Sequence, residues 1–293
     1  MRRKGLVLAG GTGSRLFPVT QAVSKQLLPV GDKPLIYYSI SVLMLAGIRE
    51  IVLVCNEVDL SSYVKLFGNG SDLGLSIDYV IQQKPEGIAQ AFLLAEQHIA
   101  GQSVLLVLGD NLFYGYGFSH MLTKAASENQ GATIFGYQVA DPERFGVVEF
   151  DEAGKAISIE EKPAKPKSRY AVTGLYFYDS KVVEYAKDLA PSSRGELEIT
   201  DLNNRYLMEG QLRVQLLGRG FAWLDTGTHE AIADAGVFIN AIEARQGIKV
   251  ACLEEISYRN GWIDLNMLKR RASHLSKSAY GLYLSRLVGE VPS

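Results

Sequence analysis

Gly10, Gly11 and Gly13 break off a short apolar run, Gly5 to Ala9, and two cations, Arg15 and Lys25, follow them. Glycine admits backbone conformations that a Cβ forbids, and it lets a ligand touch the main chain. The N–H groups of such a turn can converge into a nest for anionic oxygens. Arg15 brings a planar fork and Lys25 a mobile point charge, and both suit phosphate. The pattern predicts a triphosphate held by backbone amides and two cations. Two better-known glycine loops do not fit. A dinucleotide fingerprint needs a third glycine where Leu16 stands, and a P-loop needs Gly-Lys-Ser/Thr where the chain has Gly13-Ser14-Arg15. Leu16 thereby weakens a dehydrogenase reading.

The remaining chemical residues are less specific by themselves. Asp110, in Leu108-Gly109-Asp110-Asn111, ends an apolar run and offers the hard oxygen that Mg²⁺ prefers. The same tripeptide more often caps a turn. Asp225, in Trp223-Leu224-Asp225-Thr226-Gly227-Thr228, reads on its own as a carboxylate helping a helix start. Glu160-Glu161-Lys162-Pro163 reads as a solvated turn, and Gln82-Gln83-Lys84-Pro85-Glu86-Gly87 as a polar loop before a helix. His98, His120, His229 and His274 form no triad or zinc pattern, and no Gly-x-Ser-x-Gly elbow is present. No covalent protein intermediate is expected.

Positioning these groups takes an alternating frame. Gly5–Ala9, Ile51–Cys55, Ile77–Ile81 and Val104–Leu108 read as strands. Between them, 34–46 (Ile36, Ile40, Leu43 and Met44 on one face, Pro34 in the first turn), 59–67 and 87–98 (Phe92 and Leu93 inward) read as helices. This predicts an α/β fold with a mostly parallel central sheet flanked by helices, and a site beyond the carboxyl ends of its strands. After Ala132, strand-like runs at 133–137, 147–150, 156–159 and 172–178 predict a smaller mixed or antiparallel extension. From Thr228, a plausible N-cap with Ile232, Ala235, Ile239 and Ile242 on one face behind it, the chain reads as helical. The expected organisation is a single domain in three stretches, 1–131, 132–227 and a helical C-terminal region (228–293).

With 293 residues, 47% of them hydrophobic, the chain can bury a large core. A formal net charge of -2 gives no basic field for nucleic acid. Cys55 and Cys252 lack metal-ligand spacing and read as buried free thiols in a reducing, cytoplasmic compartment. The basic start at Met1-Arg2-Arg3-Lys4 precedes an apolar run too short for a signal peptide, and no run is long enough for a membrane span.

The stretch from Gly10 to Val30 resembles the signature of the sugar-1-phosphate nucleotidyltransferases. It contains Gly10-Gly11-Thr12-Gly13-Ser14-Arg15-Leu16, then Pro18-Val19-Thr20, then Lys25 ahead of Pro29-Val30. Lys25-Gln26, Asp32 to Tyr38, Leu45-Ala46-Gly47-Ile48 and Arg194 to Asp201 are similar to one branch, the short glucose-1-phosphate thymidylyltransferases of bacterial deoxysugar pathways. The resemblance implies a Rossmann-like nucleotidyltransferase fold in which dTTP and glucose 1-phosphate give dTDP-glucose and pyrophosphate with Mg²⁺. It makes 1–131 the nucleotide-binding part and 132–227 the sugar-binding part, and it implies catalytic roles for Arg15, Lys25 and Lys162. Nucleotide contacts fall to Leu8, Gly10, Gly11, Thr12, Gly13, Arg15, Lys25, Gln26, Gln82, Pro85 and Gly87, with the Gln82 amide and the Gly87 backbone reading a pyrimidine edge. Sugar-phosphate contacts fall to Asp110, Gly146, Glu161, Lys162, Val172 and Arg194, and metal ligation to Asp110 and Asp225. A homotetramer is implied, with feedback by a dTDP-sugar at a second site matching Gly115, Arg219, Glu255 and Arg259.

The departures from the family pattern are Phe17, Gly31, Ser39 and Phe145, and near the second site Phe113, Tyr116, Gly117 and Ser119. Phe145 lacks a hydroxyl near the sugar segment. None removes a charged catalytic group. Two other readings stand beside this one: a UTP-using or dual-specificity relative, and a non-catalytic nucleotide-sugar sensor on the same fold.

Overall fold

The computed structural model describes residues 3–128 and 130–290. Among them run strands β1 (Arg3–Leu8), β2 (Pro29–Val30), β3 (Lys33–Pro34), β4 (Glu50–Cys55), β5 (Ser76–Ile81), β6 (Ser103–Leu108), β7 (Asn111–Gly115), β8 (Ala132–Gln138), β9 (Gly146–Phe150), β10 (Ala156–Glu161), β11 (Tyr170–Tyr178), β12 (Leu212–Leu217) and β13 (Phe221–Asp225). The apolar runs of β1, β4 and β6 are buried on both faces, and their side chains alternate between two cores. Leu6, Val52, Val54, Val104 and Leu106 point into one. Val7, Ile51, Leu53, Leu105 and Val107 point into the other. Helices Ile36–Leu45, Leu60–Phe67 and Phe118–Ser127 cover the second face, and Gln90–Leu94, Val182–Lys187 and Ile199–Met208 the first.

Strands β5, β4, β1 and β6 lie side by side and parallel, as the alternation predicts. The strand runs beyond Ala132 are also present, but they do not make a sheet of their own. β11 pairs antiparallel with β6, β8 antiparallel with β11, and β12 parallel with β8, so the central sheet runs on through them. Only the antiparallel β9–β10 ladder branches away, touching β11 at Ala171 and Val147. The cause is the nine-residue β11, buried along nearly its whole length: one end serves β6 and the other β9.

Two helix boundaries differ from expectation. Pro34 belongs to β3, and its helix starts at Ile36. The span 87–98 is two short helices, Gln90–Leu94 and Glu96–Ile99, with Phe92 buried and Leu93 half-buried. Gly87 has φ +102°, which no helix accepts, and its neighbours bond to Leu197 instead: Leu197 N donates to Glu86 O at 2.8 Å and Ala89 N to Leu197 O at 3.1 Å.

Thr228 caps the helix His229–Gln246 by accepting from Ala231 N at 3.2 Å. That helix packs Ala235 and Ile239 onto Val30, Leu35 and Tyr38. A ring of charges, buried at Lys33 and Glu243 and partly open to solvent at Asp32 and Lys249, ties it to the N-terminal half. Lys33 lies 2.7 Å from Asp32 and 2.9 Å from Glu243, and Lys249 lies 2.6 Å from each of the same two carboxylates. Helices Leu253–Arg259, Leu265–His274 and Ala279–Glu290 form a small core of their own around Leu268 and Leu284. Cys55 and Cys252 are free and buried. No helix among the described residues is long and apolar enough to cross a membrane.

Candidate active site

Two connected hollows open beyond the carboxyl ends of β1 and β6. The smaller, about 200 Å³, is walled by the turn Gly10–Leu16 with Lys25, Gln26, Asp110 and Gly227. The larger, about 680 Å³, shares Gly10, Gly11, Arg15 and Asp110 with it and extends to Arg194. Together they gather the residues predicted for nucleotide, sugar phosphate and metal, from Leu8 to Asp225.

The glycines are required by geometry. Gly11 and Gly13 have φ +112° and +59°, and a Cβ on Gly10 would fall 1.8 Å from Gln82 Oε1. Gly13 is pinned by Thr20, whose hydroxyl donates to its carbonyl at 2.7 Å. Arg15 follows in a single 3₁₀ turn, Ser14–Leu16, anchored by the buried Leu16. Lys25 sits in a second such turn, where the buried Gln26 accepts a hydrogen bond from Ser24 at 2.7 Å.

The carboxylates come from two strand ends. Asp110 follows β6, and its Oδ2 lies 2.7 Å from Lys25 Nζ while its Oδ1 accepts from Asn111 Nδ2 at 2.8 Å. Burial pushes its pKa up, but the Lys25 charge and these hydrogen bonds outweigh burial and hold the carboxyl below the ordinary aspartate value. Asp225 ends β13, opposite Asn111 of β7, and Thr226 donates to the Asp110 carbonyl through both N and Oγ1. The two aspartates therefore flank one point of the cleft. Among the described residues no group of three acidic, histidine or cysteine side chains could cage a metal. Two hard carboxylates suit a divalent cation that completes its shell with phosphate oxygens and water.

At the far end, Glu161 accepts from Thr200 Oγ1 at 2.5 Å and lies 3.4 Å from Arg194, which also forks onto Glu198 at 2.8 and 2.9 Å. Lys162 has φ +46°, a left-handed conformation costing a non-glycine residue about 1–3 kcal/mol. Its N–H donates to Phe145 O at 3.0 Å, which fixes where the side chain leaves the β10 end. Gly146 fits because a Cβ there would press on Thr200 and Glu161, at 3.1 and 3.3 Å. Phe145 packs on Trp223 with ring centroids 5.1 Å apart.

Gln82 is buried, and one half of its amide is free. Its Nε2 donates to Gln90 Oε1 at 2.7 Å, leaving Oε1 buried without a partner. Other contributors also escape a reading of the chain. Asn111 joins three segments, accepting from Gly174 N at 3.0 Å and Trp223 Nε1 at 2.6 Å. Ser39 donates to the Leu108 carbonyl at 2.9 Å, fixing the strand end before Asp110. Arg144 lines the cleft 3.3 Å from Asp225. Its one available signal was its position just before Phe145-Gly146. The four second-site residues lie outside both hollows. Gly115 pairs with Phe221 across the β7–β13 ladder, near Arg219 in the preceding turn, while Glu255 and Arg259 pair with each other at 2.7 Å on the helix Leu253–Arg259.

Known proteins resemble this chain over nearly its whole length. The Nucleotidyl transferase family matches residues 4–241. A glucose-1-phosphate thymidylyltransferase of Neisseria gonorrhoeae is 56% identical, covering 98% of this chain and 100% of its own length. One from Mycobacterium tuberculosis is 52% identical, covering 97% of this chain and 99% of its own. A Bacillus anthracis structure assigned to the same activity and solved with sucrose is 43% identical, with TM-score 0.74 over 80% of this chain and 94% of that one. A UDP-glucose pyrophosphorylase solved with UDP-glucose is 25% identical, with TM-score 0.72 over 84% and 100%. A cleft built from a glycine turn, cations at both ends and two aspartates at adjoining strand ends thus sits in a chain that belongs to the nucleotidyl transferase family, among the glucose-1-phosphate thymidylyltransferases.

Proposed function

We propose that the protein joins dTTP and α-D-glucose 1-phosphate into dTDP-glucose, releasing pyrophosphate. The observation that carries this reading is the single cleft that has a glycine turn with Arg15 and Lys25 at one end, Lys162 and Arg194 at the other, and Asp110 with Asp225 between. A phosphate oxygen of the sugar attacks the α-phosphorus in line, the bond to the β-phosphate oxygen breaks, and pyrophosphate leaves with the electron pair. Positioning and charge neutralisation dominate such chemistry. Arg15 neutralises the leaving pyrophosphate and Lys25 the α-phosphate. Lys162 and Arg194 hold the attacking phosphate against its repulsion from the triphosphate. The sugar phosphate is already anionic near neutral pH, so no general base is assigned. A divalent cation held by Asp110 and Asp225, with Mg²⁺ as the proposed ion, would supply further neutralisation to the phosphate oxygens.

UTP is the second substrate reading, because an acceptor such as Gln82 Oε1 serves thymine and uracil alike and a methyl-sized difference is worth only ~1–3 kcal/mol. Pyrophosphate release with glucose 1-phosphate, measured in parallel with dTTP, UTP, dCTP and ATP, tests both. Absence of release with any of them would favour a silent sensor.

The same reading extends to the first step of a deoxysugar pathway of the dTDP-L-rhamnose type, in the cytoplasm, where two free thiols are at home. It extends also to a homotetramer and to feedback by a dTDP-sugar at Gly115, Arg219, Glu255 and Arg259. Sedimentation and inhibition by dTDP-glucose test these extensions.

A further inference from the structure

Gln90 lies between two groups of fixed polarity on one residue. Its Oε1 accepts from the Glu86 backbone N–H at 3.1 Å, and its Nε2 donates to the Glu86 carboxylate at 2.8 Å. A backbone N–H only donates and an ionised carboxylate only accepts, so the Gln90 amide has a single orientation that satisfies both. Its Oε1 is thereby turned to Gln82, which answers with Nε2 at 2.7 Å. The polarity of Gln82 follows: the donor half is consumed, and the carbonyl is left buried and unpartnered against Gly10 at the cleft wall. A buried acceptor without a donor is costly, and a ligand N–H answers it. Only the absence of a Cβ at Gly10 leaves room for that carbonyl, which would otherwise lie 1.8 Å from one.

We infer that Gln90, locked by Glu86, is a specificity-positioning residue that sets Gln82 as an acceptor and so selects a base carrying an imide N–H. Thymine and uracil have a proton at N3, whereas cytosine has a lone pair there, so two acceptors would face each other. Gln90 itself touches no substrate. The inference rests on the proposed reading of Gln82 as the base contact.

The test is the ratio of kcat/KM for dTTP over dCTP in wild type, in the double variant that joins Gln90→Glu to Glu86→Gln, and in Gln90→Lys, with thermal melting as a fold check. In the double variant the glutamate keeps an acceptor facing Gln82 while the glutamine put in place of Glu86 donates to it, so the ratio stays within about threefold of wild type. Lysine offers only donors, so Gln82 turns its carbonyl toward it and its NH₂ toward the base. The ratio then falls at least about tenfold, mostly through KM. If Gln90→Lys does not fold, Gln90→Leu replaces it, freeing the amide and lowering the ratio at least about threefold. An unchanged ratio in the folded lysine or leucine variant overturns the inference while leaving the base reading intact. A fall in the double variant as large as in Gln90→Lys overturns it too, because polarity would then not be what matters. Equal use of dTTP and dCTP by the wild type defeats the base reading itself, and the inference with it.

Discussion

Asn111 and Asp225 stand opposite each other in the β7–β13 ladder, which brings the second cleft aspartate beside Asp110. Arg144 reaches Asp225 from the turn before β9, at 3.3 Å. It therefore competes with any divalent cation for that carboxylate. Arg144→Ala should lower the Mn²⁺ concentration giving half-saturation, read by electron paramagnetic resonance without substrates. An exposed pair is worth ~0–1 kcal/mol, so the shift is up to about fivefold. Weaker ion binding in the variant would contradict the competition.

Arg15→Ala and Lys162→Ala should each reduce pyrophosphate release by about 10²–10³, the usual effect of removing a transition-state donor. Both side chains border open cleft rather than core, so melting temperatures should stay close to wild type. Near-wild-type turnover in either variant would remove that residue from the mechanism.

Asp110 has its pKa lowered: burial opposes the charge, but Lys25 and Asn111 prevail. A depressed carboxyl adds stability that is fully present above its unfolded value, about 3.9, and is lost as pH falls through the folded value. Without Lys25, burial acts with one partner fewer and the folded pKa rises. Urea titrations across the acid range should therefore show Lys25→Met losing stability at a higher pH than wild type. Coincident acid limbs would show that the pair is not electrostatically coupled.

Lys33 is 2% exposed between Asp32 and Glu243. Lys33→Met removes one cation from a ring of four charges and leaves two carboxylates with Lys249 alone. Breaking a buried pair this way typically costs about 3–5 kcal/mol, so the urea midpoint should drop clearly while turnover of the folded fraction persists. A loss below about 1 kcal/mol would place the ring among ordinary surface pairs.

At Gly87, a Cβ would lie 2.3 Å from Leu197 O and 2.5 Å from Leu197 N. Gly87→Ala should part the loop from Leu197 and cost roughly 1–3 kcal/mol from overpacking alone. The same change should raise KM for the nucleotide, since Pro85 and Gly87 line its side of the cleft. Unaltered KM and stability would mean that the loop rearranges freely.

The chemistry of the N-terminal turn was legible because it is local. Glycine spacing and the cations after it depend on backbone conformation over a few bonds, and the apolar runs of β1, β4 and β6 fill both faces of a parallel sheet whatever follows them. The late start of the helix expected from Gly87 was not legible, because the partner that draws this segment away is Leu197. The sharing of β11 between β6 and β9 likewise depends on strand pairing across long sequence separations. Gln82 illustrates the limit within one side chain. Its type was readable as an amide at a binding loop, but which half faces the cleft was set by Gln90 and Glu86 through hydrogen bonds of fixed polarity.

By itself the sequence determined which groups are available: a glycine turn for phosphate, four cations, two aspartates and a parallel sheet to end beside them. Tertiary structure alone decided that Asp110 and Asp225 lie at adjoining strand ends of one cleft, that Lys25 holds one and Arg144 the other, and that Gln82 keeps only an acceptor free. The physical reason is range. Backbone propensity and hydrophobic period act between near neighbours, whereas ion pairs and hydrogen-bond polarity act between atoms that only the completed fold brings within a few ångströms.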